Sequence, residues 1–236
     1  SELGIEAVHD NRQVGNNLQD HFGVDHSYHS SQPTLNNQLH SLSGKIFAGM
    51  NYMLCGRGPL TRNINHAGGF FRTRPDLTRP NMQLYFSPMS YRKAPVGKRP
   101  LMNPDPFPAF NIGISQCRPT SSGHVRLTGN HVRTKPEIQP DYLATEHDQQ
   151  ETLEGIRFLR HLATMPTMKK LIKEELDPGP ETDGDEALLQ HARETGGTVF
   201  HPASTCRMGN DPNQNVVDAR LRVHGLESLR VADASI

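Results

Sequence analysis

The stretch "TVFHPASTCRMG", residues 198–209, gathers several reactive side-chain types into one turn-rich run. His201 follows a short β-prone pair, Pro202 restricts the backbone just after it, and Gly209 closes the loop. An imidazole on a restrained segment suits general-base work, since histidine ordinarily titrates near ~6.5 and the hydroxyls of Ser204 and Thr205 could fix its tautomer. On composition alone, a hydrogen-bonded structural histidine remains the commoner outcome. Cys206 has only Arg207 as an adjacent cation and no histidine at a spacing that would pair with a thiolate. Packing, not nucleophilic attack, is the expectation for it.

Two other clusters invite chemistry and sustain less of it. "DHFGVDHSYH" holds His21, His26 and His29 beside Asp20 and Asp25, residue types that ligate metals. Strand or helix geometry brings only His26 and His29 near each other, and no second cluster completes a shell. A polar loop or strand face is expected, and no metal. Gly56 and Gly58 in "GRG", and the pair Gly68–Gly69, read as turn glycines; no G-x-G-x-x-G occurs. The three cysteines, Cys55, Cys117 and Cys206, form no CxxC, which argues against a disulfide framework or a thiolate zinc site. A reducing, cytoplasmic setting follows as the expectation.

The elements that must position His201 are read from periodicity. A short strand is expected near 5–8, followed by polar turns and a loop. Residues 37–54 have helical spacing that "CGRGP" then breaks. Strands are predicted at 81–87 and 110–117, separated by a Pro-rich loop around 88–108. A third strand at 121–129 would set Val125 and Leu127 on one face, with His124 and Arg126 on the other. Residues 137–143 suit an edge strand, because Pro140 cannot donate to a ladder. Thr145 is a suitable cap for a helix carrying Leu153, Ile156, Leu159 and Leu162 at helical spacing. Pro166 is expected to open a second helix through "TMKKLIKEEL", and a third at 185–194 should end at Gly196–Gly197. The predicted class is α+β: an antiparallel sheet with helices on one face.

Bulk properties narrow the function. Apolar residues make up 34% of the 236, with 20 glycines and 18 prolines, so the chain should fold with much loop. Its mean hydropathy of -0.64 agrees. Basic and acidic residues balance at 25 each, and no basic run argues for nucleic acid. The apolar stretches are too short for a transmembrane span. Both ends, Ser1 and Ile236, read as internal positions of a longer chain.

"HPASTCRMG" followed by "NVVDARLRVHGLESLRVADASI" closely resembles the C-terminal signature of the glucose–methanol–choline (GMC) oxidoreductases. "VGNNLQDH", "GPLTRNINHAGGFFRT" and "CRPTSSGHVRL" resemble further segments of the family, in the order of its choline-dehydrogenase-like branch. The resemblance implies an FAD enzyme that oxidises an alcohol to an aldehyde or ketone, with oxygen or a quinone-type compound as electron acceptor. By the same resemblance His201 is the general base: it takes the hydroxyl proton, which makes the alkoxide a better hydride donor to the flavin. Asp233 and Ala234 would contact the ribityl–diphosphate region from a flavin-facing strand in "VADASI".

Residues 1–30 are then expected to be a flavin-domain remnant, 31–195 a substrate-binding domain, and 196–236 the signature segment that packs with 1–30. The family's N-terminal diphosphate fingerprint has no match in this sequence, and neither does its second catalytic Asn or His, expected beyond residue 236. The chain is expected to be part of a longer enzyme and, alone, to be colourless and inactive. A non-catalytic binding module that keeps the substrate-domain fold without FAD is the alternative.

Overall fold

The computed structural model describes residues 3–91 and 103–236, so most of the Pro-rich loop expected at 88–108 lies outside the described residues. The chain divides into two units: residues 1–22, 118–150 and 198–236 form one, and residues 23–117 and 151–197 the other. Residues 118–150, which the sequence places in the middle segment, group with the two chain ends.

The second unit is built on a six-stranded sheet whose five longer strands are antiparallel, β2 Phe22–Ser30, β3 Ala67–Phe71, β4 Met82–Ser87, β5 Ala109–Gln116 and β8 Ile172–Asp177, with the short β9 Gly197–Thr198 paired to β2. The five lie in the order β3-β4-β5-β2-β8. β2 alternates strictly, burying Phe22, Val24, His26, Tyr28 and Ser30, while every residue of β5 is buried. Ile112 and Ile114 of β5 pair with Phe86 and Leu84 of β4. On that apolar face lies α3, Glu146–Thr164, which buries Leu153, Ile156 and Leu159. The helix approaches so closely that a Cβ on Gly155 would lie 2.6 Å from the side-chain ends of Ile114 and Met82. Phe158 stacks on Phe71 at 4.0 Å.

Polar anchors frame this apolar contact. Buried Glu151 accepts from Asn81 Nδ2 at 2.9 Å and Gln116 Nε2 at 3.2 Å, and Arg160 bonds Glu175 at 2.9 Å. The opposite face of the sheet is polar, carrying Asp25, Ser27, Gln83 and Tyr85. There Gly113 leaves room for the Tyr85 ring, which an added Cβ would meet at 2.0 Å.

The structure departs from several expectations. The helix expected through "TMKKLIKEEL" stops after α4, Pro166–Lys169, and the chain becomes β8. The open edge of β2 supplies backbone partners there, and tertiary pairing overrides the helical preference of Lys, Glu and Leu. Gly68–Gly69 lie inside β3 and not in a turn, because the β4 backbone passes too near Gly68 for any side chain. The helix expected over 37–54 is two helices, α1 Leu35–Leu39 and α2 Leu42–Cys55, capped by the Thr34 and Ser41 side chains. α5, Asp185–Thr195, ends at Gly196 as expected.

The first unit has little regular structure. β1 Asn16–Leu18, β6 Gly123–Arg126 and β7 Glu137–Gln139 form a small antiparallel sheet in the order β1-β6-β7, with β7 at an edge before Pro140. Leu127 lies beyond β6 and is exposed. The strand expected near 5–8 is absent: residues 5–7 have no assigned structure, and the first strand is β1. Gly15 has a φ of 82°, and an added Cβ would sit 2.3 Å from the Val125 carbonyl oxygen. The C-terminal residues gather around buried Val216, Val217 and Val223, with Cys206, Leu226, Val231 and Ile236 packed against them. Among the described residues no helix is long and apolar enough to cross a membrane.

Candidate active site

The loop that carries His201 is held from two sides. Gln19 and Ala203 exchange both backbone hydrogen bonds, at 2.8 and 3.1 Å, and the Gly15 N–H donates to the Thr205 carbonyl at 2.8 Å. On the other side Ser204 N–H donates to the Ala234 carbonyl at 3.2 Å, and Cys206 N–H to the Ser235 carbonyl at 2.6 Å. Three sequence segments, "VGNNLQDH", "HPASTCRMG" and "VADASI", therefore meet within one unit although the first and last are over two hundred residues apart. Gly209 closes the loop by donating to the Val217 carbonyl at 2.9 Å.

Beneath His201 lies the buried carboxylate of Asp20. Its Oδ1 accepts the His201 backbone N–H at 3.0 Å. Its Oδ2 accepts the Tyr142 hydroxyl at 2.5 Å and also the Thr198 hydroxyl. The Thr198 oxygen accepts in turn from the Phe200 N–H at 2.8 Å. The His201 side chain is exposed, and the His21 ring stands edge-on to it, with centroids 5.6 Å apart and planes at 82°. Ser204, expected to help fix the imidazole tautomer, instead points its hydroxyl at Gln19 Oε1 at 3.4 Å.

The backbone around this carboxylate is strained. Phe200 and Ser204 have φ of 65° and 71°, and Asp141 and Leu143, on either side of Tyr142, have 54° and 56°. Non-glycine residues in that region cost about 1–3 kcal/mol each and persist only where their surroundings over-determine them. The Phe22 ring, 5.2 Å from that of Tyr142, holds the phenol in place. Burial, and then the hydrogen bond to Asp20, push the Tyr142 phenol up to about 12. It remains a hydrogen-bond donor across the neutral range.

Asp233 and Ala234 lie in a bend followed by a turn, not in the strand expected for this segment. Local hydrogen bonds fold the chain back on itself: Asp233 Oδ1 accepts from the Ser235 hydroxyl at 2.5 Å and the Ser235 N–H at 2.8 Å. Those donors, the hydroxyl first, hold the Asp233 carboxyl below the usual carboxylate range. An exposed ionised carboxylate accepts from hydroxyls and repels phosphate, so this position fits the polyol of a flavin nucleotide better than its diphosphate.

Of the histidines in "DHFGVDHSYH", His26 and His29 face opposite sides of β2: His26 is buried, and His29 pairs with Glu174 at 2.9 Å. Among the described residues no group of His, Cys, Asp or Glu is placed to hold a metal. Cys206 is a free thiol packed on the valine cluster. Tyr142, Thr198 and the role of Asp20 escape a reading of the sequence. The one available signal is Asp20 itself, an acid inside a segment that resembles the family.

A family model for GMC oxidoreductase matches residues 119–236. The chain is 34% identical over its whole length to an alcohol dehydrogenase [acceptor] from Pseudomonas putida, of which it covers 42%. It is 35% identical to an oxygen-dependent choline dehydrogenase from Serratia proteamaculans, of which it covers 41%. Among solved structures it superimposes on formate oxidase from Aspergillus oryzae, a protein described for its FAD modification. The TM-score is 0.86 at 25% identity, covering all of this chain and 45% of that one. The chain thus spans less than half the length of these relatives.

Proposed function

The chain belongs to the GMC oxidoreductase family, and on that premise we propose that it forms part of an FAD-dependent oxidoreductase that converts the CH–OH group of a small alcohol to a carbonyl. His201 is the general base. The observation that carries this reading is the loop geometry: an exposed imidazole on a backbone bonded to residues 15–19, to Asp20 and to residues 234–235. A general base must be pre-positioned within hydrogen-bond reach of the proton it takes, and this backbone leaves the imidazole only its side-chain torsions to search.

Within this reading each residue has a task. His201 accepts the proton of the substrate hydroxyl, so electron density builds on the carbinol oxygen and the C–H bond weakens. Asp233 would accept a hydrogen bond from a hydroxyl of the flavin's polyol chain, and the turn at Ala234 keeps that carboxylate next to the His201 loop. The flavin, when bound, supplies a two-electron acceptor that oxygen or a quinone-type partner then reoxidises. The unit bearing the main sheet is the substrate-binding part, supported by its polar face with Gln83 and Tyr85. Choline is one candidate substrate, since a choline dehydrogenase is among the relatives; primary aliphatic and aromatic alcohols are others.

The test is anaerobic. The protein, expressed in its full coding context and loaded with FAD, is mixed with a panel of alcohols that includes choline. Bleaching of the flavin absorbance by at least one alcohol is expected. A protein that takes up no FAD would leave the binding-module reading standing, and flavin that stays bound and oxidised with every alcohol would overturn the proposed alcohol oxidation.

A further inference from the structure

Asp20 does more than fill space under the loop. Its two oxygens receive three donors from two separate stretches of chain: the His201 N–H, the Thr198 hydroxyl and the Tyr142 hydroxyl. Two of these lie on the His201 loop itself. The third comes from a segment that is itself strained on both sides of Tyr142. We propose that Asp20 is the positioning residue of the His201 loop: its carboxylate, fixed by Tyr142, sets the backbone position from which the imidazole is presented.

A left-handed Phe200 is unfavourable and would relax if the chain on either side of it were free. Both sides are tied to the same carboxylate, through the Thr198 hydroxyl before Phe200 and the His201 N–H after it. The Thr198 oxygen closes the ring by accepting from Phe200 N–H. Since Phe200 is 77% exposed, it gains little from packing that could hold this conformation. Asp20 is 8% exposed, so water competes poorly for its oxygens, and three donors would lose their acceptor together if it were removed. His21, next in sequence, brings its ring edge to His201, so a shift of Asp20 would also move the neighbour of the imidazole.

This role for Asp20 rests on the reading of His201 as the base, and the experiment separates the two. Asp20→Leu removes all three acceptor interactions at similar size, whereas Asp20→Asn keeps an oxygen for His201 N–H and lets both hydroxyls turn to accept. The variants are compared by hydrogen exchange over residues 198–204, with α3 as internal control, and by kcat, KM and flavin content of the loaded protein. With Asp20→Leu, exchange over 198–204 should rise at least about tenfold while α3 is unchanged. In the same variant kcat should fall about 10²-fold, the scale expected for a misplacement near 1 Å, with KM and flavin content within about twofold. Asp20→Asn should restore most of both.

Should Asp20→Leu fail to fold, Thr198→Val takes its place, because it removes one of the same bonds at an exposed site and should raise exchange in the same segment. The proposal is overturned if the folded variant leaves exchange over 198–204 and kcat at wild-type values, or if KM alone moves. If His201→Gln turns over normally, the base assignment falls, and the exchange measurement still decides whether Asp20 holds the loop.

Discussion

The two units solve the problem of holding a chain in different ways. The sheet-bearing unit uses regular elements and apolar burial: Tyr28, Met82, Ile112, Ile114, Ile156 and Leu159 are almost wholly enclosed. The unit made from the chain ends uses irregular backbone fixed by polar groups. All seven non-glycine residues with positive φ among the described residues, Asn17, Asp141, Leu143, Phe200, Ser204, Leu221 and Ser228, belong to it. Beside its small valine cluster, buried carboxylates help to fix that backbone. Asp20 collects three donors, and Asp148 takes the N–H groups of Thr120 and Ser121 and the Thr120 hydroxyl. Apolar contact is tolerant of direction, and hydrogen bonds are not. On the proposed role of His201, the unit that presents the imidazole is the unit that relies on directional bonds.

The sharpest way to test that contrast is to remove the presented group. His201→Gln should lower the rate of flavin reduction by about 10²–10⁴-fold, the usual worth of a general base, while the urea midpoint stays put because the side chain is exposed. A variant that reduces flavin at the wild-type rate would break the comparison at its functional end.

In the other unit the loss should appear in stability alone. Ile156→Ala opens a cavity between α3 and the sheet and should cost about 2–5 kcal/mol in urea unfolding. Flavin reduction by the protein that remains folded should be normal. Large changes in kcat at temperatures where the variant is fully folded would contradict the division of labour.

A third test concerns the carboxylates. Burial by itself would raise the Asp148 carboxyl, but the Ser121 and Thr120 donors outweigh it and hold it below the usual carboxylate range. A group whose folded value is depressed stabilises above its unfolded value, near ~3.9, and loses that contribution as pH falls through the folded one. Wild-type stability should therefore drop as pH falls below about 4, and Asp148→Asn should flatten that drop while lowering stability at neutral pH by about 1–3 kcal/mol. Parallel acid profiles for the two proteins would show that Asp148 is not what holds this segment.

The smallest effect is expected at Cys206. Cys206→Ala removes a half-buried thiol from the valine cluster and should cost about 1 kcal/mol, with turnover within about twofold of wild type. A loss of turnover larger than that of His201→Gln would return Cys206 to the chemistry.

Much of this molecule is legible without its structure. Alternation and spacing place β4, β5, α3 and α5 within a residue or two, because each has a periodic apolar face and a clear stop in Gly or Pro. His201 stands out by residue type and by the proline that follows it, and the family resemblance supplies the role proposed for it. Other features depend on partners distant in sequence. "KKLIKEEL" has helical preference and becomes β8 because the β2 edge lies open beside it. "FGVDHSYHS" looks like a histidine cluster and is a strand that sends His26 and His29 to opposite faces. Asp20 and Tyr142 are separated by 122 positions and joined by one hydrogen bond. Periodicity is a property of neighbours along the chain, so sequence determines it. Where a carboxylate finds its donors depends on which stretches the fold brings together, and only the tertiary structure decides that.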